Sequence, residues 1–505
     1  MIILLLLLAQ SFALAGEDFS VLEKKMDAFV EKYQPAPNTG IAVGIVRGPE
    51  LIFFKGYGFR DREKKLPVTL DTRFAIGSVT KNFLSTSMAL LEERAQLELA
   101  APVRRYLPTF QLENEEIAKQ VTSVDILSHQ VGLPRHDLLW YLTPFQTPEL
   151  FQKLPYLEMD KREGMGFRSG KTQYNNLMFM TAGILLEQVS GKAWQKFVQE
   201  NFLNSLQMQD TTFDLSGFAA ANVALPYAKE TKLPYKALDQ IGAAGSMNST
   251  VKDMAKWVSL HLAGGEISGQ RLIARESLEK LYQPRSRLGA GPLAMEYGLA
   301  FMISKIGENR VIHHGGNIDG FSAMVGFAPE KNIGVVVLVN QDGAGNFQYP
   351  LLVDAGKDMP PVALFPYLIL EHFLSPPMGT SEIYSQSALN DMAIFLERGG
   401  SGVRSAGFIG PDGNMVGEFY ELAYGKLRLF VGDKGQQLLD YYGNIFELRA
   451  TAEENKFSVH LPESGEASGM VAEVVRIGSR VESVLMPFEP AVRPIRFIAN
   501  PTSPE

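Results

Sequence analysis

Three Ser-x-x-Lys tetrapeptides occur in the chain, at Ser78–Lys81, Ser249–Lys252 and Ser277–Lys280. A serine hydroxyl is a weak nucleophile at neutral pH and needs a base within hydrogen-bond reach. A lysine whose charge is disfavoured by burial is such a base, and one helical turn is the spacing that brings the two together. Only Ser78 has flanking sequence suited to this. Phe74-Ala75-Ile76-Gly77 delivers it from a strand-rich stretch to the start of an amphipathic run in which Leu84, Met88 and Leu91 fall on one face. That helix is expected to end near Leu99, before Ala101-Pro102. A serine at such a start feels the positive end of the helix, and its own N–H is among the unpaired amides of the first turn. Ser249 and Ser277 are read instead as helix-capping serines followed by solvated lysines.

Two further groups of residues extend the chemistry. Tyr174-Asn175-Asn176 precedes a helical stretch from Leu177 to Val189 and offers a phenol to move protons, with Asn176 to hold the lysine and a substrate amide. Its look-alike, Tyr442-Gly443-Asn444, reads as a turn. His313-His314-Gly315-Gly316-Asn317 lies just before a strand; paired glycines let a substrate backbone approach a sheet edge. The amide of Asn317 is then placed to join that of Ser78 in stabilising an oxyanion. Either histidine fits this third group, and His314 is preferred because glycine fills both following positions.

The elements that must position these groups are legible in outline. Gly40 to Val46 and Leu51 to Tyr57 read as a hairpin across Arg47-Gly48-Pro49-Glu50, and Phe321 to Phe327 with Ile333 to Val339 as another. Short helices and loops fill residues 100–245. Thr250-Val251-Lys252-Asp253 reads as a capping box opening a helix whose apolar face carries Met254, Trp257 and Val258. A further helix is expected from about Val362 to Leu374. Strands near both ends with helices between describe one sheet assembled from both termini and covered by helices. Residues 376–405 read as a linker with one polar helix, about Ser381 to Arg398, and the remainder as a small β domain with strands such as Gly425 to Phe430, Leu438 to Tyr442 and Phe457 to Leu461.

Taken in order, Ser78-Val79-Thr80-Lys81, Tyr174-Asn175-Asn176 and His314-Gly315-Gly316 resemble the Ser-x-x-Lys, Tyr-x-Asn and Lys/His-x-Gly elements of the serine β-lactamase and penicillin-binding family, with its D,D-peptidase, D-aminopeptidase and esterase relatives. Gly56-Tyr57-Gly58, Tyr106-Leu107-Pro108, Gly132-Leu133-Pro134 and Gly242-Ala243-Ala244-Gly245 are similar too, and the resemblance covers about residues 20–375. The tail, in Gly417 to Tyr424 and Leu438 to Tyr442, resembles the lipocalin-like β domain often appended to such enzymes. The resemblance implies an α/β fold of the α+β type: a mainly antiparallel five-stranded sheet flanked by helices, a helical lobe, and a C-terminal all-β domain. The corresponding division is 1–15 leader, 16–375 catalytic domain, 376–405 linker and 406–505 β domain. It also implies that Ser78 attacks, that Lys81 and Tyr174 move protons, and that Asn176, His314, Gly315, Gly316 and Asn317 bind substrate. Histidine stands where β-lactamases carry lysine, and Gly315 has no hydroxyl for a substrate carboxylate. Both departures move the expected substrate from β-lactams toward peptides, amides and esters.

Composition bounds the alternatives. The 505 residues carry 48 Lys+Arg against 56 Asp+Glu, a formal net charge of -8, which argues against a nucleic-acid binder. With no cysteine, disulfides, thiolate metal sites and cysteine nucleophiles are excluded. No His-Glu-x-x-His occurs, so neither metal nor other cofactor is expected, and Gly-x-Ser-x-Gly is absent as well. Ile2 to Leu8 is an unbroken apolar run, and Ala13-Leu14-Ala15 has the small-x-small pattern of a signal-peptidase site, so a leader over residues 1–15 and secretion or periplasmic export are expected. The run is too short to span a bilayer. The expected partner is a small-molecule or peptide substrate, without nucleic acid and without stable membrane insertion. The competing class is a catalytically silent secreted binding or matrix protein that retained the fold. A silent descendant has no chemical reason to keep the Ser, Lys, Tyr and Asn set together.

Overall fold

Ile41–Arg47 and Ile333–Val339 are buried along almost their whole length, which a strand achieves only at the centre of a sheet covered on both faces. A computed structural model of the chain describes residues 11–13, 18–33, 36–215, 222–289, 295–341, 366, 369–370, 372–374, 417–432, 436–453, 455–460, 467–477, 480–489 and 491–499. We label the main-sheet strands β1 (Ser11–Ala13), β2 (Ile41–Arg47), β3 (Glu50–Tyr57), β4 (Ser286–Leu288), β5 (Met295–Tyr297), β6 (Met302–Ile306), β7 (Asn309–Ile318), β8 (Phe321–Ala328) and β9 (Ile333–Val339). Their spatial order is β1-β3-β2-β9-β8-β7-β6-β5-β4, and the pairings are antiparallel. The five long strands β3-β2-β9-β8-β7 are the sheet that the family resemblance implies. Strands of three to five residues widen it at both ends, so the sheet has nine strands. β1 falls within the expected leader and pairs with Phe53 to Lys55; residues 1–10 and 14–17 lie outside the described residues.

Period-two alternation sends β2 side chains to two different cores. Ile41, Val43 and Ile45 join Leu22 and Met26 of helix α1 (Ser20–Tyr33), together with Ile369, Leu370 and Leu374. Ala42 and Val46 face the larger core, which holds the buried face of helix α5 (Val251–Leu262). Two glycines let α5 sit close to the sheet. A Cβ on Gly44 would lie 2.4 Å from Val251 Cγ1, and one on Gly334 2.4 Å from Val258 Cγ1, two turns along the same helix. Gly334→Ala is therefore expected to destabilise the protein by about 1–3 kcal/mol through overpacking. Val258→Ala in the same chain should recover part of that loss, as read from chemical denaturation midpoints.

Helix α2 (Thr80–Glu93) is shorter than the apolar pattern predicts. Ala95 adopts a left-handed conformation with φ 56, and the amides of Gln96 and Leu97 fold back on the Leu91 carbonyl. That closure stops the helix at Glu93, although Leu97 and Leu99 continue into the same core. α5 begins as the capping pattern predicts, Thr250 accepting the Asp253 amide at 3.1 Å. The Asp253 carboxylate, however, serves the Asp210 amide and the Thr211 hydroxyl. The helical lobe contributes α3 (Asp137–Leu142) and α4 (Asn176–Ser190); Asn175 caps α4 by accepting the Met178 amide at 2.8 Å. Among the described residues no helix is long and apolar enough to cross a membrane.

Eight antiparallel strands between Gly417 and Ala499 close into a barrel. Alternate residues such as Leu427, Leu439, Tyr441, Val459, Val484 and Phe497 are buried and fill its interior, as expected of so small a barrel. Tyr442 and Gly443, both with positive φ, form the turn between two barrel strands. The barrel is seated on the helical lobe: Asn444 Nδ2 donates to the Leu142 carbonyl at 3.0 Å, and Tyr442 meets Phe145 edge-on. The expected linker, with its Ser381 to Arg398 helix, lies outside the described residues, as does part of Val362 to Leu374.

Candidate active site

Ser78 occupies a single 3-10 turn, Gly77–Val79, that runs directly into α2. Gly77 has φ 48, a left-handed conformation that brings the chain out of Phe74–Ala75 and aims the serine across the end of the helix. Ser78 is partly exposed while its neighbours are buried. Lys81, one turn on, is fully buried, and its Nζ lies 2.9 Å from Ser78 Oγ, 2.8 Å from Asn176 Oδ1 and 2.6 Å from the Ala244 carbonyl.

The last two partners, as oriented, can only accept hydrogen bonds, so they take two of the lysine's N–H groups. A neutral amine then has its lone pair left for the Ser78 hydroxyl. Burial, with Arg135 nearby, pushes the Lys81 pKa well below the usual lysine value, against a smaller opposing effect of Asp137. Geometry and electrostatics thus both favour a lysine that accepts the serine proton.

Asn176 is oriented in turn by Asp137. Its Nδ2 donates to Asp137 Oδ1 at 3.0 Å, and a carboxylate can receive only the NH2 side of the amide, so Oδ1 must face Lys81. Asp137 also accepts from Trp140 Nε1 at 2.7 Å and from Arg135 Nε at 2.5 Å. The Arg135 guanidinium lies 5.1 Å over the Tyr174 ring, and Lys81 Nζ 4.9 Å from it. Burial raises the Tyr174 pKa, which keeps the phenol protonated, while Ser78 and Arg135 oppose the rise. The phenol oxygen is buried beside Ser78 but completes no well-formed hydrogen bond. A buried hydroxyl in that state is suited to passing a proton to an incoming group.

The third wall is the free edge of β7. β6 pairs with β7 only as far as His313, so among the described residues His314 to Ile318 has no strand on that side. The edge lies against the Ser78 turn: a Cβ on Gly316 would fall 1.9 Å from the Ile76 carbonyl oxygen and 3.0 Å from the Ser78 amide nitrogen. One on Gly77 would fall 2.9 Å from the Asn317 amide nitrogen. The backbones of Gly77-Ser78 and Gly316-Asn317 thereby lie against one another. The pleat separates the two histidines. His314 faces the site, its ring 6.3 Å from that of Tyr174, whereas the next residue along a strand points to the other face. His314 Nδ1 lies 2.6 Å from the Gly315 carbonyl and must donate to it, so Nε2 accepts from the Tyr297 hydroxyl at 3.0 Å. Burial and the neighbouring Lys81 push its pKa down to about 3. His314 is therefore a neutral wall with both nitrogens engaged within the protein.

The other two Ser-x-x-Lys tetrapeptides make no such contact. Ser249 Oγ meets Thr211, and Lys252 reaches Asp71. Ser277 bonds Glu93, and Lys280 bonds Glu92. His129 is buried with φ 58, 4.2 Å from the Tyr174 ring, and accepts the Asn175 amide. Asp137, Arg135, Tyr297 and the Ala244 carbonyl did not emerge from the motifs. Arg135 and Asp137 directly follow Gly132-Leu133-Pro134, which was the available signal. Among the described residues, no group of three or more acidic or histidine side chains is arranged to hold a metal ion.

A family model described as Beta-lactamase matches residues 24–355. The unguisins hydrolase ungD' of Aspergillus campestris is 29% identical over 336 residues, 62% of this chain and 60% of that protein. Protein flp of Staphylococcus aureus strain MW2 is 22% identical over 326 residues, 63% of each. The chain thus spans between 60% and 63% of the length of these two curated relatives. Among solved structures, the octameric penicillin-binding protein homologue from Pyrococcus abyssi aligns with a TM-score of 0.57 at 21% identity, covering 95% of this chain and all of that one. A class C beta lactamase from Rhodobacter sphaeroides aligns at 0.56 and 21% identity, over 70% of this chain and 99% of its own. At that identity the two structures speak to fold alone.

Proposed function

Because the chain belongs to the β-lactamase family, we propose that it is a serine hydrolase that works through an acyl-enzyme on Ser78, cleaving esters or amides. The observation that carries this reading is the position of Lys81 Nζ, 2.9 Å from Ser78 Oγ and held by two obligate acceptors in a fully buried site. Neutral Lys81 takes the Ser78 proton as Oγ attacks the substrate carbonyl carbon. The resulting oxyanion is stabilised by the Ser78 and Asn317 amides. The proton then passes, by way of Tyr174, to the departing alkoxide or amine, and the C–O or C–N bond breaks. Water attacks the acyl-enzyme by the reverse relay, releasing the acid and restoring Ser78.

The chemistry of the β7 edge narrows the substrate. His314 is neutral and internally bonded, and Gly315 has no side chain, so neither supplies a cation or hydroxyl to pair with a substrate carboxylate. Arg135 is committed to Asp137. Neutral esters and amides, including D-amino amides and short peptides, suit this edge better than anionic β-lactams do. Export through the residue 1–15 leader belongs to the same proposal.

Incubation with a fluorophosphonate ester, followed by peptide mass mapping, tests the reading directly. The expected adduct sits on the peptide containing Ser78, and prior incubation with a p-nitrophenyl ester slows its formation. No adduct at Ser78, with no turnover of a p-nitrophenyl ester, a D-alanyl amide or a chromogenic cephalosporin, would overturn the hydrolase and favour a silent binding protein.

A further inference from the structure

His136 lies between Arg135 and Asp137, and it is gripped by the C-terminal barrel. Its φ is 47, a left-handed conformation that a residue with a Cβ rarely adopts unless its surroundings hold it there. The Glu489 carboxylate, itself buried, accepts the His136 amide at 2.7 Å. Tyr424 Oη lies 2.6 Å from His136 Nδ1. On the far side of the ring, Nε2 lies 3.1 Å from the Glu158 carbonyl oxygen, which can only accept. The ring proton is therefore on Nε2, and the Tyr424 hydroxyl donates to Nδ1. The barrel end that makes these contacts is itself braced: Glu421 accepts the amides of Ala423 and Tyr424 at 2.7 Å each, and the Tyr441 hydroxyl donates to the Tyr424 carbonyl at 2.8 Å.

We propose that Glu489 and Tyr424 are positioning residues for the active site, setting Lys81 through His136, Asp137 and Asn176. The inference rests on the hydrolase reading above. The chain of contacts is continuous. The barrel holds the His136 backbone, which presents Asp137; Asp137 selects the face of the Asn176 amide; and Asn176 Oδ1 occupies one N–H of Lys81. If Asp137 moves, the Asn176 amide is free to turn its NH2 group toward Lys81, where it donates to the amine lone pair that the Ser78 hydroxyl needs. The lysine then donates to Ser78 instead of accepting from it. The Glu489 carboxylate accepts the Ala491 amide through Oε1 at 3.0 Å and the His136 amide through Oε2, so it ties a turn of the barrel directly to the loop that carries Asp137.

Variants of the full chain distinguish positioning from mere stability. Glu489→Ala and Tyr424→Phe each remove one contact to His136, and Glu489→Gln retains an acceptor oxygen. Arg493→Ala removes an exposed ion pair to Glu158 at the same interface and serves as the control. With the fluorophosphonate as probe, labelling of Ser78 is expected to slow between about 10- and 100-fold in Glu489→Ala. It should slow less in Tyr424→Phe, recover in Glu489→Gln, and stay unchanged in Arg493→Ala. The acid limb of the labelling-rate profile should also move to lower pH in Glu489→Ala, because a withdrawn Asp137 carboxylate and an Asn176 NH2 turned toward Lys81 both disfavour its charged form. The groups facing that lysine are Ser78 from its own segment, Tyr174 and Asn176 from the start of α4, Arg135 and Asp137 from the gripped loop, His129, and His314 from β7. None of them is deleted by these changes. Wild-type labelling at Ser78 together with an unchanged rate and pH profile in folded Glu489→Ala and Tyr424→Phe would overturn this inference and leave the hydrolase standing. Absence of labelling in the wild type would overturn the hydrolase, and this inference with it.

Discussion

Replacing Lys81 by methionine is expected to slow acylation of Ser78 between about 10²- and 10⁴-fold, the range that a positioned proton acceptor contributes. The melting temperature should rise at the same time. Methionine fills nearly the same volume without a group that must be kept uncharged, and Lys81 is fully buried. The sign of the stability change follows from proton linkage. Burial holds the Lys81 pKa well below its ordinary value. Between that lowered value and the ordinary one, the unfolded chain binds more protons than the folded chain, so the wild type gains stability as pH rises through this window. The methionine variant lacks that dependence. Its advantage should be largest below the lowered pKa and should shrink toward the ordinary lysine range. Fluorophosphonate labelling rates and calorimetry across pH read both effects. A variant that labels at the wild-type rate would remove Lys81 from the reaction. One that is destabilised at all pH values would mean that the bonds to Asn176 and Ala244 outweigh the burial penalty.

Ser78, Lys81, Tyr174, Asn176 and the His314-Gly315-Gly316-Asn317 edge carry their chemistry in side-chain type and short-range spacing, and the fold brings all of them to one place. Asp137 and Arg135 were missed because their significance lies in a partner 39 residues away and in one another, which no local pattern announces. The Ala244 carbonyl is a backbone group: the stretch Gly242-Ala243-Ala244-Gly245 marks its segment, but no side-chain type announces its bond to Lys81. The strands β2, β3, β8 and β9 were legible because short apolar runs bounded by turns, rich in Ile and Val in β2 and β9 and carrying Phe in β3 and β8, admit few other structures. The end of α2 was not, because Leu97 and Leu99 stay in the core after Ala95 has turned the chain away. The small strands β4 to β6 lack length and alternation, and pairing alone makes them visible. The choice between His313 and His314 could be weighed in sequence only by the glycines that follow. In the fold it is a matter of which face of β7 each residue takes.

Gly316 is the position at which the close approach of two backbones can be tested most sharply. Gly316→Ala places a methyl carbon where the Ile76 carbonyl oxygen is 1.9 Å away and the Ser78 amide nitrogen 3.0 Å. Both are backbone atoms at the 3-10 turn that leads into α2, so no side chain can swing aside, and the edge of β7 must move out. The Asn317 amide moves with it. The expected loss in kcat/KM toward a p-nitrophenyl ester is about 10²- to 10³-fold, equivalent to removing one oxyanion donor, about 2.7–4 kcal/mol. Gly315→Ala provides the contrast. Its methyl would meet Met324 Cε at 3.4 Å and the Ala323 carbonyl at 3.7 Å, ordinary contacts that leave the edge in place, so activity should stay within about threefold of wild type. Circular dichroism and melting temperature establish that both variants fold. If folded Gly316→Ala retained the activity of Gly315→Ala, the edge of β7 would not supply the second oxyanion donor. If both lost activity equally, the edge would act through its flexibility, and the 1.9 Å approach would carry no special weight.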